Sequence, residues 1–198
     1  PGDFVKSGDK LLSIKSDSLL AQKKSVELQL KENFGKLKGL SVLLDGYENN
    51  LEKIETDNST VRARFESFVA ERKLLNARSH RTKELLSEEM GLPESSTTAS
   101  EIEKKRYEYS IAVMEYEQFC ADFYSSVKQE IDALKLEKEE LQKQAVQVKE
   151  ALKNLVLISP VDGFVQEKSS LNVGDYLFAD QQVLNIVPSA DKNCRIEL

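Results

Sequence analysis

The sequence predicts a mainly α fold: a long antiparallel α-helical coiled-coil hairpin inserted into a small β-domain that is split between the two ends of the chain. Three observations predict it. Apolar residues return every seven positions through most of the 198 residues, the spacing of helices that pack along a seam. A Gly-Asp motif at Gly2-Asp3 returns as Gly174-Asp175. The composition agrees, because 31% charged and only 7% aromatic residues, with 8 Gly, 4 Pro and no Trp, suit long helices better than a globular core.

The first element is residues 1–15. Gly2-Asp3-Phe4-Val5 matches Gly174-Asp175-Tyr176-Leu177, and Leu11-Leu12-Ser13-Ile14 matches Val183-Leu184-Asn185-Ile186 at the same offset. Gly8-Asp9 faces Asp180-Gln181, turn-type residues in both copies. Each copy reads as a Gly-Asp turn, a short apolar strand, a second turn and another strand. Either half alone would leave strand edges unpaired, so the two halves are expected to meet in one sheet system.

The helical insertion covers residues 16–157. Ser16 or Asp17 can cap its start. One heptad frame then holds Leu19, Val26, Asn33, Leu40, Tyr47, Ile54, Val61, Phe68, Leu75 and Thr82. A partner row contributes Leu30, Leu37, Leu44, Leu51, Phe65 and Leu86. A break is expected within 46–60, at Asp57-Asn58-Ser59-Thr60 or around Gly46, where helix-poor residues collect. Length requires it: residues 17–90 would descend against roughly 60 ascending, so about 14 must be absorbed. Because the frame runs through both sites, a kink or short loop is expected.

The hairpin tip is placed at 91–98, Gly91-Leu92-Pro93-Glu94-Ser95-Ser96-Thr97-Thr98, since Pro93 cannot continue a helix. Thr98 or Ser100 begins the return, each with Glu three residues later as in a capping box. The return seam is Val113, Cys120, Val127, Leu134, Leu141, Val148 and Leu155. Its second row is Ile102, Tyr109, Tyr116 and Phe123, and then Ile131, Ala145 and Leu152 with Lys138 as a polar exception. The change of row near Val127 is a stutter, expected to unwind the supercoil there. Sixty helical residues make a rod of about 90 Å.

Residues 158–190 form the second β half, entered through Ile158 to Val165 and broken at Pro160 and Asp162-Gly163. Residues 191–198 read as the truncated start of a following β-domain.

Chemistry is scarce. The formal charge of −6 argues against nucleic acid, which requires basic stripes. Cys120 falls on an apolar stripe, Cys194 is remote from it, and His80 has no second ligand at metal spacing. There is no phosphate loop and no nucleophile with a base beside it. No catalytic, cofactor or metal residue is assigned, so the chain is read as no enzyme. No run approaches the 18 or more apolar residues of a membrane helix.

The stretch Gly2-Asp3-Phe4-Val5-Lys6-Ser7-Gly8-Asp9-Lys10-Leu11-Leu12-Ser13-Ile14 resembles the lipoyl/biotinyl-carrier pattern. Such carriers display a modified lysine about four residues on, where this chain has Ser18, so neither lipoate nor biotin is expected. A lipoyl-like domain split by a helical hairpin and re-entered through Pro160-Val161-Asp162-Gly163-Phe164-Val165 resembles the HlyD-type membrane fusion proteins, the periplasmic adaptors of type I secretion and multidrug efflux. The resemblance implies a periplasmic protein whose full-length form is anchored in the inner membrane beside a transporter, often of ABC type. It implies a homo-oligomeric ring whose tips meet a TolC-like outer-membrane channel, for export of protein, peptide or small-molecule cargo. It also implies a docking motif at the tip, matched by Arg81 and Leu85. Its serine would fall at Leu92, so Ser95 and Ser96 are the nearest candidates, with Leu86 as the apolar neighbour. Other readings are a structural coiled-coil tether, a Gram-positive bacteriocin-export accessory protein, and an enzyme's carrier domain.

Overall fold

The computed structural model describes residues 2–93, 95–167, 172–177 and 181–189. In chain order they form β1 (Phe4–Val5), β2 (Lys10–Ser13), α1 (Asp17–Glu48), α2 (Ser59–Met90), α3 (Ala99–Asn154), β3 (Val156–Ile158), β4 (Gly163–Glu167) and β5 (Leu184–Pro188). Contacts divide the chain into two compact units, residues 1–25 with 144–198, and residues 26–143.

In the first unit the two chain ends interleave. β1 pairs antiparallel with β4, which pairs antiparallel with β5. β2 pairs antiparallel with β3 in a second, two-stranded sheet. Loops tie the halves further: Gly8 N donates to Ser159 O at 2.8 Å, and Ser7 N to Asp162 Oδ1 at 2.7 Å. Ile14 N donates to Leu155 O at 2.8 Å, so the chain leaves for the helices and returns at one place. The sequence repeat survives in the backbone, since Gly2 and Gly174 both hold a positive φ, 89° and 104°, that a side chain would oppose. It does not survive as a strand at Tyr176-Leu177. There Asn172 and Asp175 close a side-chain-bonded turn, and Tyr176 is 92% exposed with no ladder partner among the described residues. Cys194, Asp180 and the strand expected at Arg195–Leu198 lie outside the described residues.

In the second unit the descending limb is two helices rather than one. α1 ends at Glu48, and Asn49–Asn58 form an irregular connector. The connector doubles back along α1: a Cβ on Gly46 would stand 2.6 Å from Ile54 and 2.8 Å from the Phe65 ring. One on Gly39 would stand 2.8 Å from Val61. The start of α2 therefore lies alongside the end of α1, and two glycines let the helices approach this closely. Asn58 caps α2, its Oδ1 accepting from Thr60 N and Val61 N.

The same stretch of α3 packs against both. Leu40 and Leu43 from α1, Phe65, Phe68 and Val69 from α2, and Val127 and Ile131 from α3 make one buried cluster. Tyr47 and Phe68 both lie against Phe123, with ring centroids 6.0 and 3.9 Å away. The expected two-helix seam is thus a local three-helix core. The row change near Val127 falls where α3 meets both helices: toward the tip Phe119 stacks on Phe68 of α2, around Val127 the cluster includes α1 and α2 together, and farther on Leu134 meets Asn33 of α1. Leu51, expected in the seam, is 39% exposed, because the helix stops before it and the heptad no longer sets its direction.

Candidate functional site

The tip joins α2 to α3. Gly91 ends α2, its N–H donating to Ser87 O and Glu88 O at 3.1 Å, and Pro93 prevents continuation. Ser96 N donates to Pro93 O at 2.8 Å. The Thr97 hydroxyl donates to the Glu89 carboxylate, tying the loop to α2. Thr98, not Ser100, caps α3: its N–H and hydroxyl both donate to Glu101 Oε2 at 2.8 Å, and its hydroxyl accepts from Glu101 N. These bonds from Thr98, first the hydroxyl and then the backbone, hold the Glu101 carboxyl below its ordinary range.

Arg81 is exposed and shares its charge with its own helix, at 3.3 Å from Glu84 and 3.8 Å from Glu88. Ser95 and Ser96 are exposed in the loop. Leu85 and Leu86, adjacent in sequence, are both half-buried, so each presents only part of its side chain outward. The exposed apolar groups of the apex are Met90, at 57%, and Leu92, at 45%. Arg81 stands about 13 Å below Met90 along the helix, so it and the loop serines form two levels rather than one patch. Of the carboxylates that organise this tip, Glu101 was legible as the capping-box partner of Thr98, whereas Glu84, Glu88 and Glu89 were missed from sequence, although Glu84 and Glu88 follow Arg81 at spacings that share a helix face.

Away from the tip, Arg64 and Glu130 form a two-pronged pair between α2 and α3, at 2.7 and 2.9 Å. The Arg64 hydrogen bond lowers the Glu130 pKa. Cys120 is half-buried beside Tyr116, and burial pushes its thiol up, away from a reactive thiolate. Ser18 lies exposed in the first turn of α1, whose cap is Ser16, with Oγ 3.3 Å from Leu19 N. Among the described residues no group of three or more His, Cys, Asp or Glu could hold a metal ion. None of their helices is long and apolar enough to cross a membrane.

No family model and no curated protein matches this sequence. Among solved structures, the chain is similar to the soluble domain of LipC, a membrane fusion protein of a type I secretion system. The TM-score is 0.58 at 14% identity, over 95% of this chain and 92% of that one. It also aligns with the periplasmic adaptor protein EmrA, at a TM-score of 0.38 and 21% identity, over 94% of this chain and 65% of that one. The likeness to the LipC domain shows a shared fold.

Proposed function

We propose that the chain belongs to an HlyD-type membrane fusion protein, a non-enzymatic periplasmic adaptor between an inner-membrane transporter and a TolC-like outer-membrane channel. The observation that carries this reading is the fold, shared along nearly the whole of both chains with a type I secretion membrane fusion protein. In this reading the interleaved β unit is a split lipoyl-like domain, used as a structural base because Ser18 stands where a carrier lysine would be. The full-length protein is anchored in the inner membrane beside an ABC-type transporter and forms a ring. Its tips contact the channel through Arg81, Leu85, Leu86, Ser95 and Ser96, with Met90 and Leu92 as the exposed apolar crown. An apex of small apolar groups rimmed by polar ones suits such a contact.

Export in the native operon tests it. Arg81→Glu and Met90→Asp abolish export while the protein keeps its helical circular dichroism, since both side chains are exposed. Met90→Asp is the cleaner apolar test because Leu85 is half-buried. Val127→Asp, at a fully buried position, unfolds the helices instead. Wild-type export by both tip variants would rule out the tip as the docking site and leave a coiled-coil tether.

A further inference from the structure

Where α1 packs on α3, each helix sets one polar residue in its apolar rows, and the two share a level. On α1 the row reads Val26, Asn33 and Leu40, and on α3 the row reads Ile131, Lys138 and Ala145. Asn33 is 2% exposed, more deeply buried than Val26 or Leu40, and Lys138 is half-buried. The Asn33 Nδ2 donates both its hydrogens to α3, one to Leu134 O and one to Oε2 of Glu137, the residue before Lys138. Its Oδ1 is buried with no partner among the described residues, a cost that an apolar side chain at this position would not carry.

A seven-residue repeat leaves the register of two helices open. Sliding α1 along α3 by one heptad, about 10 Å, puts Val26 or Leu40 where Asn33 stands, and Leu141 or Val127 where Leu134 stands. The apolar contacts re-form, but the polar ones do not. The place of Glu137 passes to Gln144, a neutral amide, or to Glu130, which Arg64 already holds at 2.7 and 2.9 Å. Asn33 then loses its charge-assisted bond, and Asn33 and Lys138 each face an apolar level of the other helix. Register matters because α1 and α3 continue into the β unit, where Ser13 pairs with Val156 and Ile14 N donates to Leu155 O at 2.8 Å. An offset of about 10 Å is roughly three strand residues, the whole length of β3, so no pair of the β2–β3 ladder survives it.

We infer that Asn33 is a positioning residue, which lowers the stability of the seam and selects one register of α1 on α3, with Glu137 as its acceptor. A single polar residue at a seam position fixes register in coiled coils at this kind of cost. In the finished fold the β ladder holds the register as well. The selection by Asn33 therefore acts during assembly, before residues 13 and 156 have met, because closing so long a stretch of chain is slow. The inference is independent of the adaptor reading.

Spin labels on the full chain test it. Lys31→Cys and Lys149→Cys, both at exposed positions, carry nitroxides, with Cys120 and Cys194 changed to Ala. The chain is unfolded in urea, diluted and frozen at intervals, and the label-to-label distance is read by double electron–electron resonance. With Asn33 in place, one distance is expected at every interval at which the helices have formed. Asn33→Leu raises the urea midpoint and adds a second distance during refolding. Combining Val26→Asn with Asn33→Leu moves the amide one heptad towards the β unit. The slip that then sets residue 26 against Glu137 draws residue 31 away from residue 149, so the added distance is the longer one, with a slip of about 10 Å along the helix. A single, unchanged distance at all intervals in either variant overturns the inference, as does a shorter added distance in the double variant. An Asn33→Leu chain with a lower urea midpoint also overturns it, because Asn33 would then stabilise the seam.

Discussion

Asn33 within the apolar seam and Glu130 at its exposed edge show how single polar groups act there. Asn33 is 2% exposed at a heptad position where its neighbours are Val26 and Leu40. Its Nδ2 donates to Leu134 O and Glu137 Oε2, both at 3.0 Å, while Oδ1 is buried with no partner among the described residues. An unpaired buried acceptor costs about 1–3 kcal/mol, so Asn33 reduces the stability of the seam it occupies. Glu130 is partly exposed, with 45% of its side chain accessible, so its pair with Arg64 contributes no more than about 1 kcal/mol. Its folded pKa is depressed, chiefly by the Arg64 hydrogen bond, so this contribution is present above the unfolded carboxylate pKa and lost as pH falls through the folded one. Glu130→Gln is therefore expected to lower the urea midpoint at neutral pH, with the gap from wild type closing in acid. A gap that persists unchanged in acid would mean that the ion pair is not its source. All ten positions of the first heptad frame, from Leu19 to Thr82, are at least half-buried, so the seam was legible at this scale. Leu43, Val69 and Ala112, buried to 0%, 6% and 2%, lie off that frame and were not legible. A third helix buries a second stripe that a two-helix periodicity does not describe.

The break between α1 and α2 is the element whose form had to be seen. The length mismatch between the two limbs announced a break, and the helix-poor residues at Gly46 and Asp57–Thr60 bracketed it. Nothing local indicated that the connector would run backward. The doubled-back course follows from burial, because it brings Ile54 and Val61 onto the same cluster that α1 already touches. A direct test contrasts two glycines of α1. Gly46→Val forces a side chain into Ile54 and the Phe65 ring and is expected to cost about 1–3 kcal/mol, or more. Gly35→Ala, with open space around it, is expected to stabilise the helix by roughly 0.5–1 kcal/mol. Urea midpoints that move together for both variants would mean that α1 and α2 do not pack side by side.

At the scale of the whole molecule, the contacts fall into a β unit built from both chain ends and a helical unit closed on its own core. Every member of the aromatic and aliphatic cluster lies within residues 26–143. A fragment of those residues is expected to stay helical and to melt cooperatively near the temperature of the whole chain, as circular dichroism would record. A broad, non-cooperative melt would show that the helices depend on the β unit for their order.

The sequence by itself determined the helical limbs, the tip and the meeting of the chain ends. Each rests on local chemistry or repetition: a heptad of apolar residues, a proline, a capping box, a Gly-Asp motif that returns near the other end. The tertiary structure alone decided that the descending limb overlaps itself, that α3 packs against both of its helices near Val127, and which tip residues are exposed. Those outcomes depend on which surfaces compete for burial, and that competition is settled between segments far apart in the chain. Leu85 and Leu86 are half-buried, Arg81 is paired with Glu84 and Glu88, and Met90 and Leu92 are the more exposed apolar groups there.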